Sequence, residues 1–455
     1  MTDPSSDPDA MEDVPTPLPT DTDGGDDDDT EPVFLTEGDG EEVVVDDSAP
    51  IPDEEDDIDM TTDAMAGDDA APVEPTEDTE PGESVPPLLT LTHHRGPIYT
   101  VDSRAIPNTA TLMIGSGSGD DTAHHCTVDI ATGETTATVL SGHSESVAVT
   151  KFSTDSQLLA TTDYSGVISI WNTPANAKPT LDRTLPAGPS DVEWLSWHPL
   201  GNVFAVGSTD GTIWMYLAKT GGVMQVFAGH DPANENGGGG VTCGEFSADG
   251  RHLLSGGGEG SFRIWNPKTG VARTVIKDGQ EGSIFVKGQV TCLHQQIGGD
   301  KSNIAVGGSD GVVGIVNLNT KKAVACLSHS NVQSEAASVE VLRWSPQDIG
   351  NGLLLASGGV DGNVKVWENG MVRSTLNHPQ GGITCFEWLE GMGPNERQLA
   401  VGCADGRVRV WDTRLTEGGL LKKLDGHTDM VLCLSVTDRV IVAGGDDHLI
   451  NVWKI

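Results

Sequence analysis

Carboxylates, histidines and cysteines are the side chains through which this chain could do chemistry, and several stand at spacings that can be weighed. In AGPSDVEWLSWHP, residues 187–199, Asp191 and Glu193 open a stretch otherwise rich in large apolar residues, Val192, Trp194, Leu195 and Trp197. A strand bound for a core is expected to carry uncharged side chains there. The two acids are therefore either solvated or placed to hold a cationic ligand. Asp446 and Asp447 form a carboxylate pair of the kind used in acid–base catalysis. The pairs His93–His94 and His124–His125 suggest metal ligation, and Cys243, Cys292, Cys385 and Cys433 recur in VTC, VTC, ITC and VLC. The runs IGSGSG (114–119) and GGGG (237–240) have the glycine content of a phosphate loop.

Most of these dissolve on context. Neither histidine pair has a Cys or carboxylate at zinc-ligand spacing. Each of the four cysteines lies two residues past an opening hydrophobe, on the same face of a strand, which suits packing against a tapering channel. No strand-to-helix context and no Gly-Lys-Ser/Thr follows either glycine run. Asp447 occupies a turn position that recurs along the chain, so its expected role is structural. No catalytic residue, metal or cofactor is expected.

Charge divides the chain in two. Residues 1–86 hold 32 of the 69 acidic residues and none of the 26 Lys and Arg, so this segment carries −32 of the net −43 and the remainder carries −11. With twelve prolines and a single aromatic, Phe34, it cannot bury enough apolar surface to offset its chain entropy, and a disordered acidic tail is expected over 1–86. Such charge repels nucleic acid and membranes and favours basic partners. No apolar run is long enough for a membrane span, no signal-peptide pattern opens the chain, and the seven cysteines show no C-x-x-C pairing. A reducing compartment is expected, cytoplasmic and possible for the nucleus as well.

From 87 to 455 the sequence repeats itself. TDYSGVISIWN (162–172), STDGTIWMYL (208–217), GEGSFRIWNP (258–267), GSDGVVGIVN (308–317), GVDGNVKVWE (359–368), CADGRVRVWD (403–412) and GDDHLINVWK (445–454) each place a bulky residue six positions after a turn residue. Those bulky residues, Trp171, Tyr216, Trp265, Val316, Trp367, Trp411 and Trp453, fall 42 to 51 positions apart. A weaker eighth copy lies at 114–134. Short alternating strands precede each copy, and Gly-His marks follow in TVLSGH (138–143), QVFAGH (225–230) and KKLDGH (422–427). Four strands per unit of ~45 residues with these marks resemble a WD40 β-propeller. The last unit runs only to a third strand, NVWKI, whereas PLLTL (87–91) is a fourth strand with no unit before it; pairing them closes the ring and removes both edges. An all-β, eight-bladed propeller is predicted. In such repeats a Gly-His histidine, a Ser or Thr, the turn aspartate and the tryptophan form a buried hydrogen-bond chain, and a complete set is expected in one repeat only: His329, Ser357, Asp361 and Trp367. With Ser165 and Glu259 at the aspartate position, two other blades are expected to rely on apolar packing.

The first strand of each blade starts at the top face. Residues flanking its opening hydrophobe, and those beside the turn aspartate, point to the channel mouth. These positions gather Asp191, Glu193, Glu340, Asp429 and Asp446, with Glu145 nearby and Tyr99 and Tyr164 among them, and hold no Lys or Arg, although Arg95 is close by. Carboxylates held together repel and raise one another's pKa, a cost that Arg or Lys from a partner relieves. AGPSDVEWLSWHP followed by VGSTDGTIWMY, after an acidic tail, resembles the angio-associated migratory cell protein family of WD40 proteins. The resemblance spans the propeller and implies an eight-bladed ring. The family's fungal branch is a dedicated chaperone of a late-joining large-subunit ribosomal protein (universal protein sixteen, eukaryotic protein ten), which implies capture of that protein's basic N-terminal segment on the acidic top face. A monomer with no direct nucleic-acid or membrane contact is expected. The alternatives are a WD40 scaffold in signalling or cell migration, as the animal branch suggests, and a ubiquitin-ligase receptor. The last class reads acidic motifs with Arg clusters, the opposite sign to this rim.

Overall fold

The structure, a computed structural model, describes residues 82–455 apart from 176, 186–187, 235–237, 280–284, 297–301, 331–337, 347–352, 379–380, 390–396 and 416–418. Strands are short, alternate in burial and are joined by tight turns, so each set of four pairs antiparallel with its neighbours. Eight such sheets form, with first strands at Ile98–Ala105, Val147–Phe152, Val192–Trp197, Val241–Phe246, Val290–Gln295, Val339–Trp344, Ile383–Trp388 and Val431–Thr437. They are numbered here as blades 1 to 8. The turn between second and third strands needs one residue in the left-handed region. Glycine supplies it in blades 2 to 7, as at Gly211 (φ 81°), and Asp121 (φ 64°) and His448 (φ 66°) supply it in blades 1 and 8.

Closure follows the expected route. Leu89–Leu91 pairs antiparallel with Ile450–Lys454, matching Leu89 with Val452 and Leu91 with Ile450, and so completes blade 8. A further strand, Glu83–Val85, adds in parallel to the outer strand Gly419–Leu424 of blade 7. Ser84 and Val85 belong to the stretch expected to be disordered; a hydroxyl and a β-branched side chain beside an unpaired edge are enough for three residues to pair. The rest of that expectation, residues 1–81, lies outside the described residues.

The core sits between blades rather than within them. Eight apolar clusters each join two neighbouring sheets, from Val128 and Val440 across blades 1 and 8 to Leu399 and Val364 across blades 7 and 6. The opening hydrophobe of every first strand is buried, Val147, Val192 and Val339 completely.

Polar chains add to this packing, and in more blades than the sequence marks suggest. In blade 6 the expected set assembles: Trp367 Nε1 donates to Ser357 Oγ at 2.8 Å, His329 Nδ1 lies 2.8 Å from the same oxygen, and His329 Nε2 faces Asp361 at 3.4 Å. Complete sets also form in blade 2 (His143, Thr161, Trp171 and Asp163) and blade 4 (His230, Ser255, Trp265 and Glu259). The expectation that one blade alone has a full set is thereby corrected. Asp163 ends the second strand and reaches the histidine from two positions before Ser165, while the extra methylene of Glu259 lets it do the aspartate's work. The discriminating column is the second-strand hydroxyl: Thr161, Ser255 and Ser357 have one, where Val206, Val306, Val401 and Ala443 do not.

Candidate top-face binding site

Every first strand carries a β-bulge one residue after its opening hydrophobe, where the pairing register slips. The bulged residues are Tyr99, Ala148, Glu193, Thr242, Thr291, Glu340, Thr384 and Leu432, one per blade around the mouth. A bulge leaves a residue out of the ladder and re-aims its side chain. This is why Glu193 is exposed while Val192 and Trp194 on either side are buried.

The ring divides by chemistry. On blades 4, 5 and 7 the bulged threonines turn back into the structure: Thr242 donates to Val290 O and Thr384 to Val431 O, both at 2.5 Å, and Thr291 donates to Val339 O. Each binds a blade to the next. The cysteines beside them pack over second-strand glycines, Cys292 against Gly307 and Cys385 against Gly402, and burial pushes both thiols up to about 12. They are inert packing groups.

Blades 1 to 3 present the open part of the ring. The strand of blade 3 is anchored on both sides by its tryptophans: Trp194 Nε1 donates to Val241 O of blade 4 at 3.0 Å, and Trp197 Nε1 to Lys151 O of blade 2 at 3.0 Å. The Trp194 indole lies so close over Gly207 and Gly244 that a Cβ on either would fall 2.2 Å from it. Asp191 is held in the left-handed region (φ 51°), its N–H donating to Tyr164 O at 2.9 Å and its carbonyl accepting from Thr209 N at 3.2 Å. Non-glycine residues seldom adopt this conformation, and Asp tolerates it better than most.

Four predicted residues thus come together: Asp191, Glu193, Tyr164 and Tyr99. Partial burial raises the Glu193 carboxyl above its ordinary value and the charge of Asp191 raises it further. The Tyr164 phenol is raised by burial first, then by Glu193 and Tyr99. Tyr99 and Tyr164 are 39% and 42% exposed, so both rings remain available to a ligand. Ala148, the bulge between them, contributes only a methyl group. Exposed Glu145 adjoins Ser146, whose carbonyl accepts from Tyr164 N.

The other predicted acids stand apart from this group. Glu340 is exposed on blade 6 and acts electrostatically on Cys292 of blade 5. Asp429 is exposed on blade 8, accepting from Met430 N at 2.8 Å, and half-buried Asp446 donates its N–H to Met430 O at 2.8 Å. Among the described residues none of these six carboxylates has an ion-pair partner.

Deeper in the channel lies a layer that motif reading missed. The fifth residue of the first strands reads Asp102, Lys151, Ser196, Glu245, His294, Arg343, Glu387 and Ser435, polar in every blade. Five of them accept a backbone N–H from the next blade: Asp102 from Phe152, Ser196 from Phe246, Glu245 from Gln295, His294 from Trp344 and Ser435 from Ser103. Arg343 instead pairs with Glu387 at 2.5 Å. Aligning the repeats on this column would have revealed it. Among the described residues no group of His, Cys, Asp or Glu is arranged to hold a metal.

An eight-bladed ring of this construction is that of a WD40 protein, and the chain belongs to the WD40 family. The family pattern, described as WD domain, G-beta repeat, matches residues 134–172, 180–216, 221–266, 324–368, 370–412 and 418–454. The chain is similar to angio-associated migratory cell protein from Homo sapiens, 29% identical over 332 residues that cover 69% of each chain. Among solved structures it resembles Sqt1 from Saccharomyces cerevisiae, with a TM-score of 0.67 and 20% identity over 82% of this chain and 99% of that one. The Chaetomium thermophilum Sqt1 bound to the N-terminus of the ribosomal protein L10 gives a TM-score of 0.67 and 20% identity, covering 82% and 100%.

Proposed function

We propose that the protein is a non-catalytic chaperone that captures the basic N-terminal segment of a large-subunit ribosomal protein on its acidic mouth and so supports large-subunit assembly. The observation that carries this reading is the unpaired carboxylate cluster of Asp191 and Glu193, repelling each other beside two half-exposed tyrosines. An Arg or Lys entering the mouth relieves that repulsion, through bidentate hydrogen bonds where it is Arg, and can stack on Tyr99 or Tyr164. The likeness of the whole ring to an Sqt1 captured with an L10 N-terminus supports the same reading. Glu340, Asp429, Asp446 and Glu145 extend the negative field around the mouth. The −32 carried by residues 1–86 raises encounter rates with a basic partner, and rRNA competing for the same cations provides release. We propose that it acts as a monomer in the cytoplasm, with the nucleus as a second site.

The test titrates the full chain with the basic N-terminal peptide of that ribosomal protein, beside an Asp191→Lys/Glu193→Lys variant, at two salt concentrations. Reversing one side of a desolvated charge pair costs about 2–5 kcal/mol. Binding that weakens with salt and is lost in a folded variant supports the chaperone. No binding by the wild type, or tight binding indifferent to salt and substitution, refutes it and moves the reading to a scaffold in signalling or migration.

A further inference from the structure

The turns of the face opposite the mouth, which join first to second and third to fourth strands, mix cations such as Lys219, Arg251, Lys268 and Lys321 with acids such as Asp155, Asp249 and Asp438, and the cations gather in blades 3 to 5. At the junction of blades 3 and 4, Arg251 and Lys268 border a cavity of about 800 Å³. Its apolar wall is Val203 and Met215 with Met224, the last half-exposed; its rim is Arg251, Lys268 and Arg273. The groove is built rather than incidental: Gly250 lets the blade 4 turn approach the His198 ring, whose Nε2 meets Gly250 O at 3.1 Å, and Gly270 lies against Gln225 of blade 3.

Asp249 is the one nearby counter-charge. Lys268, Arg273 and Lys321 have no ion-pair partner among the described residues, and Arg251 reaches only Asp249, at 3.8 Å with both side chains exposed. His252, which also lines the cavity, is lowered by burial first; Asp249 opposes that shift, and Arg273, Lys321 and Arg251 add to it. Its Nδ1 is buried without a hydrogen-bond partner, a polar atom left for a ligand to satisfy. Cations gathered around one cavity with only that exposed ion pair among them repel one another, and an anion sharing the site relieves that repulsion.

We propose that this cavity docks an acidic peptide segment of a partner protein, with a bulky apolar side chain against Val203, Met215 and Met224 and flanking carboxylates on Arg251, Lys268 and Arg273. Thioethers adapt to varied apolar shapes, which suits a linear motif. A nucleic acid is disfavoured, because the cavity offers no Phe, Tyr or Trp for base stacking. The site is separate from the mouth, so the protein can hold a basic segment on one face and an acidic one on the other.

The experiment uses the full chain and a fluorescein-labelled peptide of glutamates flanking a central Leu-Phe, read by anisotropy. Comparison probes are the same peptide with Gly-Gly at its centre and an oligouridylate. The expected result is binding that falls about tenfold for the Gly-Gly probe, and about tenfold again for Arg251→Glu/Lys268→Glu/Arg273→Glu, with a flatter salt dependence. The substituted side chains are all exposed, so the variant keeps its fold and its binding of the basic ribosomal peptide, which separates this outcome from any failure of the top-face reading. Equal binding by wild type and variant overturns the proposal. So does an oligouridylate that binds as tightly and displaces the peptide, which would make the surface a nucleic-acid site instead.

Discussion

Replacing Glu245 with glutamine is expected to stabilise the protein, and to do so more as pH rises. Glu245 lies in the channel layer of blade 4, where its carboxylate accepts the Gln295 N–H at 2.5 Å. Burial pushes its carboxyl from an ordinary 4.5 up to about 7, against the opposing pull of that hydrogen bond and of Arg343. A raised carboxyl is an advantage to the folded state below 4.5 that is lost as pH climbs through 7, because the unfolded chain then ionises freely and the folded one does so at a cost. Moving from 4.5 to about 7 corresponds to about 3 kcal/mol, and the partial exposure of the side chain trims this to about 2 kcal/mol. Glutamine keeps an acceptor for Gln295 and carries no charge. Urea denaturation of wild type and Glu245→Gln at pH 5 and pH 8 should therefore show a gain of a few tenths of a kcal/mol at the lower pH and about 2 kcal/mol at the higher. A difference that does not change between the two would refute the assignment of Glu245 as a buried, reluctant carboxylate.

Other perturbations probe other layers of the structure. Ser255→Ala removes the hydroxyl that accepts from Trp265 Nε1 and donates to His230 Nε2, both at 2.7 Å. Leaving two buried groups unpaired is expected to cost about 2–4 kcal/mol, seen as a lower denaturation midpoint. Gly207→Ala puts a methyl 2.2 Å from the Trp194 indole, which is pinned by its bond to Val241 O; a loss of about 2–3 kcal/mol is expected, along with weaker peptide capture as Glu193 is displaced. Burial lowers His378 to about 4 and His294 to about 3, with Arg409 and Arg343 adding to the respective shifts. Histidines depressed in this way support the fold fully above their ordinary 6.5, and that support disappears as pH falls below it, so thermal unfolding should occur at lower temperature at pH 4 than at pH 7. A midpoint that stays level or rises would count against buried neutral histidines.

The sequence disclosed the ring more readily than its joints. Alternation, turn glycines and the spacing from Trp171 to Trp453 are local signals, and PLLTL had no unit of its own to pair with, so blade number and closure could be read directly. Asp191 and Glu193 stood out because they interrupt an apolar strand. The bulge that exposes Glu193 has no mark in sequence, since Val, Glu and Trp pair equally well in a straight ladder. The same column holds Thr242 and Thr384, whose inward hydrogen bonds distinguish a stitch from a contact surface only once the next blade is in place. Asp163 was overlooked for Ser165 because motif position counts residues, whereas a histidine responds to where a carboxylate can reach. The cavity beside Arg251 draws on two blades and three turns, a juxtaposition no linear pattern displays.

Thr90 and Asn451 share a hydrogen bond across 361 positions of sequence. That seam gives the molecule a direction in time as it is made. Seven blades can assemble in order as the chain is synthesised, but the eighth waits with three strands unmade while residues 89–91 are held in reserve. The seam joins blade 8 to the segment that leads into blade 1, so the ring is closed only when the strand at 450–454 has emerged. A partly made copy is therefore an open ring, with residues 89–91 unpaired until the strand at 450–454 arrives to close it.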